Sequence, residues 1–208
     1  MESLEGGCVI VANGRFPSAE LPLRLLKEAK TIIACDGAVK TLYEIVGDLD
    51  SIPAGLRERY ADRIHHVEDQ EINDLTKSVR FAHAQGYREV LILGATGLRE
   101  DHTLGNISLL MDYAHLFKRV EMLSDYGLFT PILETTTFAS YPGQQISIFV
   151  LYPEGEISTE GLRWPIRRRK LTSWWQGTLN EALGDQFTVT LSPDCRVIIY
   201  REASHTKE

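Results

Sequence analysis

The chain has 208 residues, 43% hydrophobic and 25% charged, an ordinary globular composition with room for one large domain or two small ones. A formal charge of −7 and a pI near 5.4 argue against a general nucleic-acid binder, which would present a basic face. No apolar run approaches the roughly 20 residues that span a bilayer. The opening MESLEGGCVIVANG passes from acidic residues straight into a strand-like run, unlike a signal peptide, so a cytoplasmic protein without membrane attachment is expected.

Through residue 125 two patterns alternate. GCVIVAN (7–13), TIIAC (31–35), RIHHV (63–67), EVLILGA (89–95) and VEMLS (120–124) are short, apolar and rich in β-branched residues, as buried parallel strands are. Between them, Leu75, Val79 and Ala82 with Phe81 share one helical face, as do Leu104, Ile107, Leu110, Met111 and Ala114. The alternation predicts a parallel sheet with helices on both faces over 1–125. From about 126 the character changes. PILETTTFASY, QQISIFVLY, GEISTEG, QFTVTLS and RVIIYRE, separated by turns at Pro142-Gly143, Pro153-Glu154-Gly155 and Pro193-Asp194, predict an antiparallel β-sandwich over 126–208. The basic cluster Arg163–Lys170, interrupted by Trp164, Pro165 and Ile166, reads as a solvated loop or strand face. Cys8, Cys35 and Cys195 read as buried reduced thiols.

Ligands of open parallel sheets bind beyond the carboxyl ends of the strands, so the residues there carry the chemistry. Asp36-Gly37 follows TIIAC, Asp69-Gln70 follows RIHHVE, and Gly94 with Thr96–Asp101 follows EVLIL. Gly47-Asp48-Leu49-Asp50-Ser51 adds a further acidic loop. Asp48 and Asp50, two residues apart in extended chain, point to one side, and such a pair can hold a hard cation through oxygen. By itself this segment would read as a turn before a helix starting at Ser51-Ile52-Pro53. The neighbouring Asp36, Asp69, Asp74 and Asp101 favour a cation, because crowded carboxylates repel unless neutralised. Asn73 is placed to cap a helix, leaving Asp74, Thr76 and Lys77 in its first turn, where anions bind. Lys77 is not explained by capping. Arg99 could clamp phosphate, and Asp101 could hold metal or orient a hydroxyl. No Walker A loop, dinucleotide-binding glycine loop, Cys/His metal spacing or Gly-x-Ser-x-Gly elbow is present. His65-His66 read as strand residues, and Trp174-Trp175 as either a binding platform or a packing surface.

In order along the chain, Asp36-Gly37, Gly47–Ser51, Asp69–Lys77 and Gly94–His102 with Asn106 resemble the signatures of the thiamin pyrophosphokinase family. Gly161–Pro165 and Gly177–Glu181 are similar to segments of its C-terminal domain. The resemblance implies a Rossmann-like α/β domain binding ATP and Mg2+, then a β-sandwich domain, in a homodimer with thiamin in a cleft shared between subunits. It implies attack of the thiamin hydroxyl on the β-phosphorus of ATP, with AMP leaving. Asp48, Asp50 and Asp74 would bind magnesium, with Asp101 beside the reacting groups. Asp36, Gln70, Thr76, Lys77, Arg99 and Asn106 would hold the nucleotide, while Trp164, Thr178 and Asn180 form the thiamin pocket. A related diphosphokinase acting on a hydroxymethylpterin, and a non-catalytic nucleotide sensor, are the alternatives. The chain departs from the family pattern at Lys40, usually Asn, at Leu98, often Gly, and at Leu179, which replaces a Ser. The interval from Asp36 to Gly47 is too short for a helix of about 11 residues plus a strand of about 5. Either the crossover is shortened or a stretch near Tyr43-Glu44 is lacking. The second is preferred, since losing the strand before Gly47 would misplace both aspartates.

Overall fold

Short apolar runs such as CVIV and VLIL form strands buried on both faces, and these make the centre of the sheet of the first half. The computed structural model describes residues 7–36, 38, 44–47, 49 and 54–203. They belong to two compact units, Met1–Asp125 and Tyr126–Glu208.

The first unit contains β1 (Cys8–Val11), α1 (Glu20–Glu28), β2 (Ile32–Cys35), β3 (Glu44–Gly47), α2 (Ala54–Arg59) and β4 (Ile64–His66). It continues through α3 (Asp74–Ala84), β5 (Glu89–Leu93), α4 (Glu100–Tyr113) and β6 (Arg119–Leu123). Its strands lie in the order β6-β5-β1-β2-β3-β4, each pair parallel. Val9, Ile10, Ile33, Ile92 and Leu93 are fully buried, and each such side chain contributes roughly 1.5–3 kcal/mol.

β3 bears on the short interval between Asp36 and Gly47. The strand before Gly47 is retained, paired with β2 through Ile33–Glu44 and with β4 through Ile45–Ile64. Its connection from β2 is residues 36–43, against the dozen or more that a parallel crossover usually takes. His65 and His66 lie in β4, as expected. The three cysteines are free and buried.

α3 starts at Asn73, whose side chain accepts from the Thr76 amide at 2.8 Å. It ends where Gly86 adopts φ +84°. There the Gly86 amide donates to the His83 carbonyl and the Tyr87 amide to that of Ala82, the paired closure typical of a left-handed helix end. Leu75, Val79 and Ala82 are buried, as their spacing predicts. α4 differs. Leu110 and Met111 are buried, yet Leu104 is 52% exposed, and in the first turns of this helix it is Asp101, Thr103 and Asn106 that border a cavity.

The second unit contains β7 (Gly127–Ile132), β8 (Thr136–Ala139), β9 (Gln145–Tyr152), β10 (Ile157–Glu160), β11 (Asn180–Glu181), β12 (Gln186–Leu191) and β13 (Arg196–Glu202). One antiparallel sheet runs β11-β9-β13-β7 and the other β10-β12-β8. Their inward residues, among them Ile146, Ile148, Val197 and Ile199 against Phe138, Ile157, Phe187 and Val189, form one core. The run PILETTTFASY is two strands, not one. At Leu133–Thr135 the chain passes from the first sheet to the second, with the Thr136 hydroxyl donating to the Glu134 carbonyl. Among the described residues no helix is long and apolar enough to cross a membrane.

Candidate active site

The order of the parallel sheet reverses between β1 and β5: β1 leads to β2 on one side, and β5 to β6 on the other. Such a reversal opens a crevice at the carboxyl edge. A cavity of about 530 Å³ lies there, walled by the loops after β1 and β5, the end of β2 and the first turns of α3 and α4.

Glycines let these walls approach. The Gly14 amide donates to the Gly94 carbonyl at 2.6 Å and the Arg15 amide to that of Thr96 at 2.8 Å. A Cβ on Gly14 would stand 2.4 Å from the Gly94 oxygen, a distance no side chain tolerates. At the end of β3, a Cβ on Gly47 would lie 2.5 Å from Asp36 Cβ and 3.2 Å from Asp74 Oδ1, so the glycine backbone packs against both aspartates.

Asp36 is buried, and Asp74 opens α3 with its side chain one-third exposed; both face the cavity. Lys77 Nζ donates to Asp74 Oδ1 at 3.0 Å, and the lysine side chain is 2% exposed. A cation in the first turn opposes the helix dipole, and the Asp74 carboxylate offsets it. Two hard oxygen donors on one wall suit magnesium. Among the described residues no group of three carboxylate, histidine or cysteine side chains forms a metal cluster. Asp48 and Asp50, expected as magnesium ligands, lie outside the described residues, as do Ser51, Ile52 and Pro53.

Arg99 grips Asp101 with two hydrogen bonds, Nε to Oδ1 at 3.1 Å and Nη2 to Oδ2 at 2.6 Å. These bonds, followed by one from the His102 amide, hold the Asp101 carboxyl down at about 2, so it is ionised at any ordinary pH. Both side chains are exposed, which makes the pair weak as a stabilising contact and leaves either partner able to turn to a ligand. Asn106 donates from Nδ2 to the Ala95 carbonyl at 2.9 Å and accepts from Asn73 at 3.5 Å, tying the β5 loop to the start of α3.

The cavity therefore brings together Asp36, Asp74, Arg99, Asp101 and Asn106. Other expected nucleotide contacts stand elsewhere. The Thr76 hydroxyl pairs with that of Tyr113 at 2.6 Å and faces a second hollow between α3 and α4. Lys77 is buried on Asp74, and Gln70 is exposed on the loop before α3. Thr96, noted in the sequence only as part of the strand-end loop, lines the cavity, and so does Asn13, which the sequence did not single out. Asn13-Gly14 was legible as a turn after an apolar run, but the predicted strand extended over Asn13, whereas β1 stops at Val11.

In the second unit Asn180 is buried. Its Oδ1 accepts from the Trp164 amide at 3.1 Å and its Nδ2 donates to the Trp164 carbonyl at 2.8 Å. That grip fixes a tryptophan that is 57% exposed and flanked by the Arg163 guanidinium, 5.5 Å from its ring centre. Thr178 instead donates its hydroxyl to the Trp175 carbonyl at 2.9 Å. Between them Leu179 adopts φ +58° with its side chain 76% exposed. A left-handed leucine costs roughly 1–2 kcal/mol. Leu179→Asn is therefore expected to raise stability by about 1 kcal/mol in a urea titration, and an unchanged midpoint would contradict the strain.

An open parallel sheet carries carboxylates, a buried lysine and an arginine at its carboxyl edge and is followed in the chain by a β-sandwich, and the family comparisons make such a chain a kinase-type diphosphotransferase. Residues 23–122 match the model of the thiamin pyrophosphokinase catalytic domain, and residues 127–200 that of the thiamin pyrophosphokinase substrate-binding domain. The chain belongs to the thiamin pyrophosphokinase family. Thiamine pyrophosphokinase 1 of Oryza sativa subsp. japonica is 29% identical over 229 residues, covering 91% of this chain and 84% of its own. Thiamin pyrophosphokinase 1 of Caenorhabditis elegans is 31% identical over 133 residues, 54% of each chain. Among solved structures, thiamin pyrophosphokinase from Candida albicans superposes with a TM-score of 0.79 at 16% identity, over 97% of this chain and 90% of that one. The enzyme from Geobacillus thermodenitrificans gives 0.77 at 21%, over 96% and 98%.

Proposed function

We propose that the chain transfers the diphosphoryl group of ATP to the hydroxyl of thiamin, giving thiamin diphosphate and AMP. The observation that carries this reading is the convergence of Asp36, Asp74, Arg99 and Asp101 on one cavity at the sheet reversal, in a chain whose two halves match the two domains of the family. Asp74, with Asp48 and Asp50, is the proposed magnesium set; the ion, when bound, neutralises phosphate charge. Lys77 holds Asp74 in place through its 3.0 Å contact. Arg99 offsets negative charge as it grows toward AMP, and Asp101 orients the attacking hydroxyl. The thiamin oxygen bonds to the β-phosphorus, the bond from that phosphorus to the α,β-bridging oxygen breaks so that AMP leaves with that oxygen, and the hydroxyl proton is released. Chemistry of this kind asks the protein chiefly for positioning, and holding two reactants in line supplies about 7–11 kcal/mol of the barrier.

Trp164, held by Asn180, is the proposed stacking surface for thiamin, with Thr178 proposed as a further thiamin contact. The reading extends to a cytoplasmic homodimer with the thiamin cleft shared between subunits. The purified chain, given ATP, magnesium and thiamin, is expected to form AMP and thiamin diphosphate in equal amounts, and no AMP with a hydroxymethylpterin. ATP that stays intact with thiamin and with every other alcohol tried would sink the reading.

A further inference from the structure

The loop after β1 is not anchored by its own residues. It runs from Ala12 into α1, whose cap position is Ala19, a residue with no side chain able to accept a hydrogen bond. The acceptor comes from Asp125, just past the end of β6. Its Oδ1 and Oδ2 receive the Ser18 amide at 2.9 and 3.0 Å, Oδ2 also receives the Ser18 hydroxyl at 2.5 Å, and Oδ1 the Ala19 amide at 2.9 Å. A carboxylate in this place also meets the positive end of the α1 dipole. Partial burial raises the Asp125 pKa, but the bonds from Ser18 and Ala19 outweigh it and hold the carboxyl below its ordinary range.

The segment is fastened at its other end as well. Gly14 and Arg15 donate to the carbonyls of Gly94 and Thr96 in the β5 loop. Residues 14–19 thus run between two fixed points, with Asn13 and Gly14 on the cavity wall, while Asp125 is no part of that wall. We propose that Asp125 is a positioning residue for nucleotide binding: it holds the β1 loop so that Asn13 and Gly14 keep their place, and sets affinity without touching the ligand. The proposal rests on the nucleotide reading of the cavity.

The test compares Asp125→Ala, Asp125→Asn, Asp125→Glu and Ser18→Ala with the parent chain. It measures calorimetric affinity for a non-hydrolysable ATP analogue, kcat, KM for ATP and for thiamin, and Tm. Asp125→Ala is expected to weaken analogue binding and raise KM for ATP about tenfold, the scale of one lost helix cap, leaving kcat and KM for thiamin within about twofold. Asp125→Glu recovers most of the loss, and Asp125→Asn and Ser18→Ala fall between. If Asp125→Ala does not fold, the Asn and Ser18 variants carry the same reading. A lower Tm with analogue affinity unchanged across the folded variants overturns the proposal, since a purely structural cap would give that result. Because binding is read apart from turnover, a parent chain that binds the analogue but releases no AMP defeats the catalytic reading alone. A parent chain that binds no nucleotide defeats both.

Discussion

Asp74→Ala is expected to lower stability by about 3 kcal/mol and AMP formation at least about a hundredfold, and a second substitution separates the two effects. Lys77 is buried with its ammonium 3.0 Å from Asp74 Oδ1. Removing one partner of a buried pair costs roughly 3–5 kcal/mol because the other charge is stranded. Here the lower end applies, since Asp74 is one-third exposed and Lys77 has contacts besides Asp74. Replacing both members with apolar groups is often nearly neutral. Asp74→Ala combined with Lys77→Met should therefore regain most of the lost stability in a denaturant titration while turnover stays low. If the double variant makes AMP at the parent rate, the pair serves the fold alone, and Asp74 loses its place in the site.

That pair shows where the sequence is informative and where it stops. Lys77 drew notice because a cation is out of place in the first turn of a helix, and a phosphate contact was the obvious remedy. The chain uses a local remedy as well: Asp74, three residues back on the same face, supplies the compensating charge. β1, β2, β5 and β6 are legible because strands buried on both faces are mostly apolar, a pattern that survives in the bare sequence even where Glu121 interrupts β6. β3 was not, because only Glu44–Gly47 carries it and the connection from β2 lacks room for an average helix. The apolar stripe of α4 reaches one turn too far in the sequence reading, since Leu104 is 52% exposed while Leu110 and Met111 are buried. The cap that Asp125 gives to Ser18 and Ala19 had no signal at all. Periodicity and turn chemistry are local, and this contact joins residues 106 positions apart.

Gly14→Ala is expected to destabilise the chain by about 2 kcal/mol and to weaken binding of an ATP analogue tenfold or more. The added methyl would sit 2.4 Å from the Gly94 carbonyl oxygen and 2.7 Å from that of Thr96. Both are backbone atoms in a loop that cannot yield cheaply, because Gly94 already has φ +67° with the Ala12 oxygen 2.8 Å from its own Cβ direction. Overpacking of this kind typically costs 1–3 kcal/mol. Relief requires the β1 and β5 loops to part, which breaks the Gly14–Gly94 hydrogen bond and displaces Asn13 and Thr96 from the cavity wall. Gly55→Ala is the matched control. Gly55 lies in α2 with nothing among the described residues within 4 Å of its Cβ direction, so the same chemical change should stabilise by about 0.5–1 kcal/mol through helix propensity. Opposite signs at the two glycines, read as denaturation midpoints, with analogue affinity lost only at Gly14, would tie the binding site to the closeness of the two loops. Equal affinity in both variants would mean that the ligand does not depend on that wall, and the cavity at the sheet reversal would no longer account for nucleotide binding.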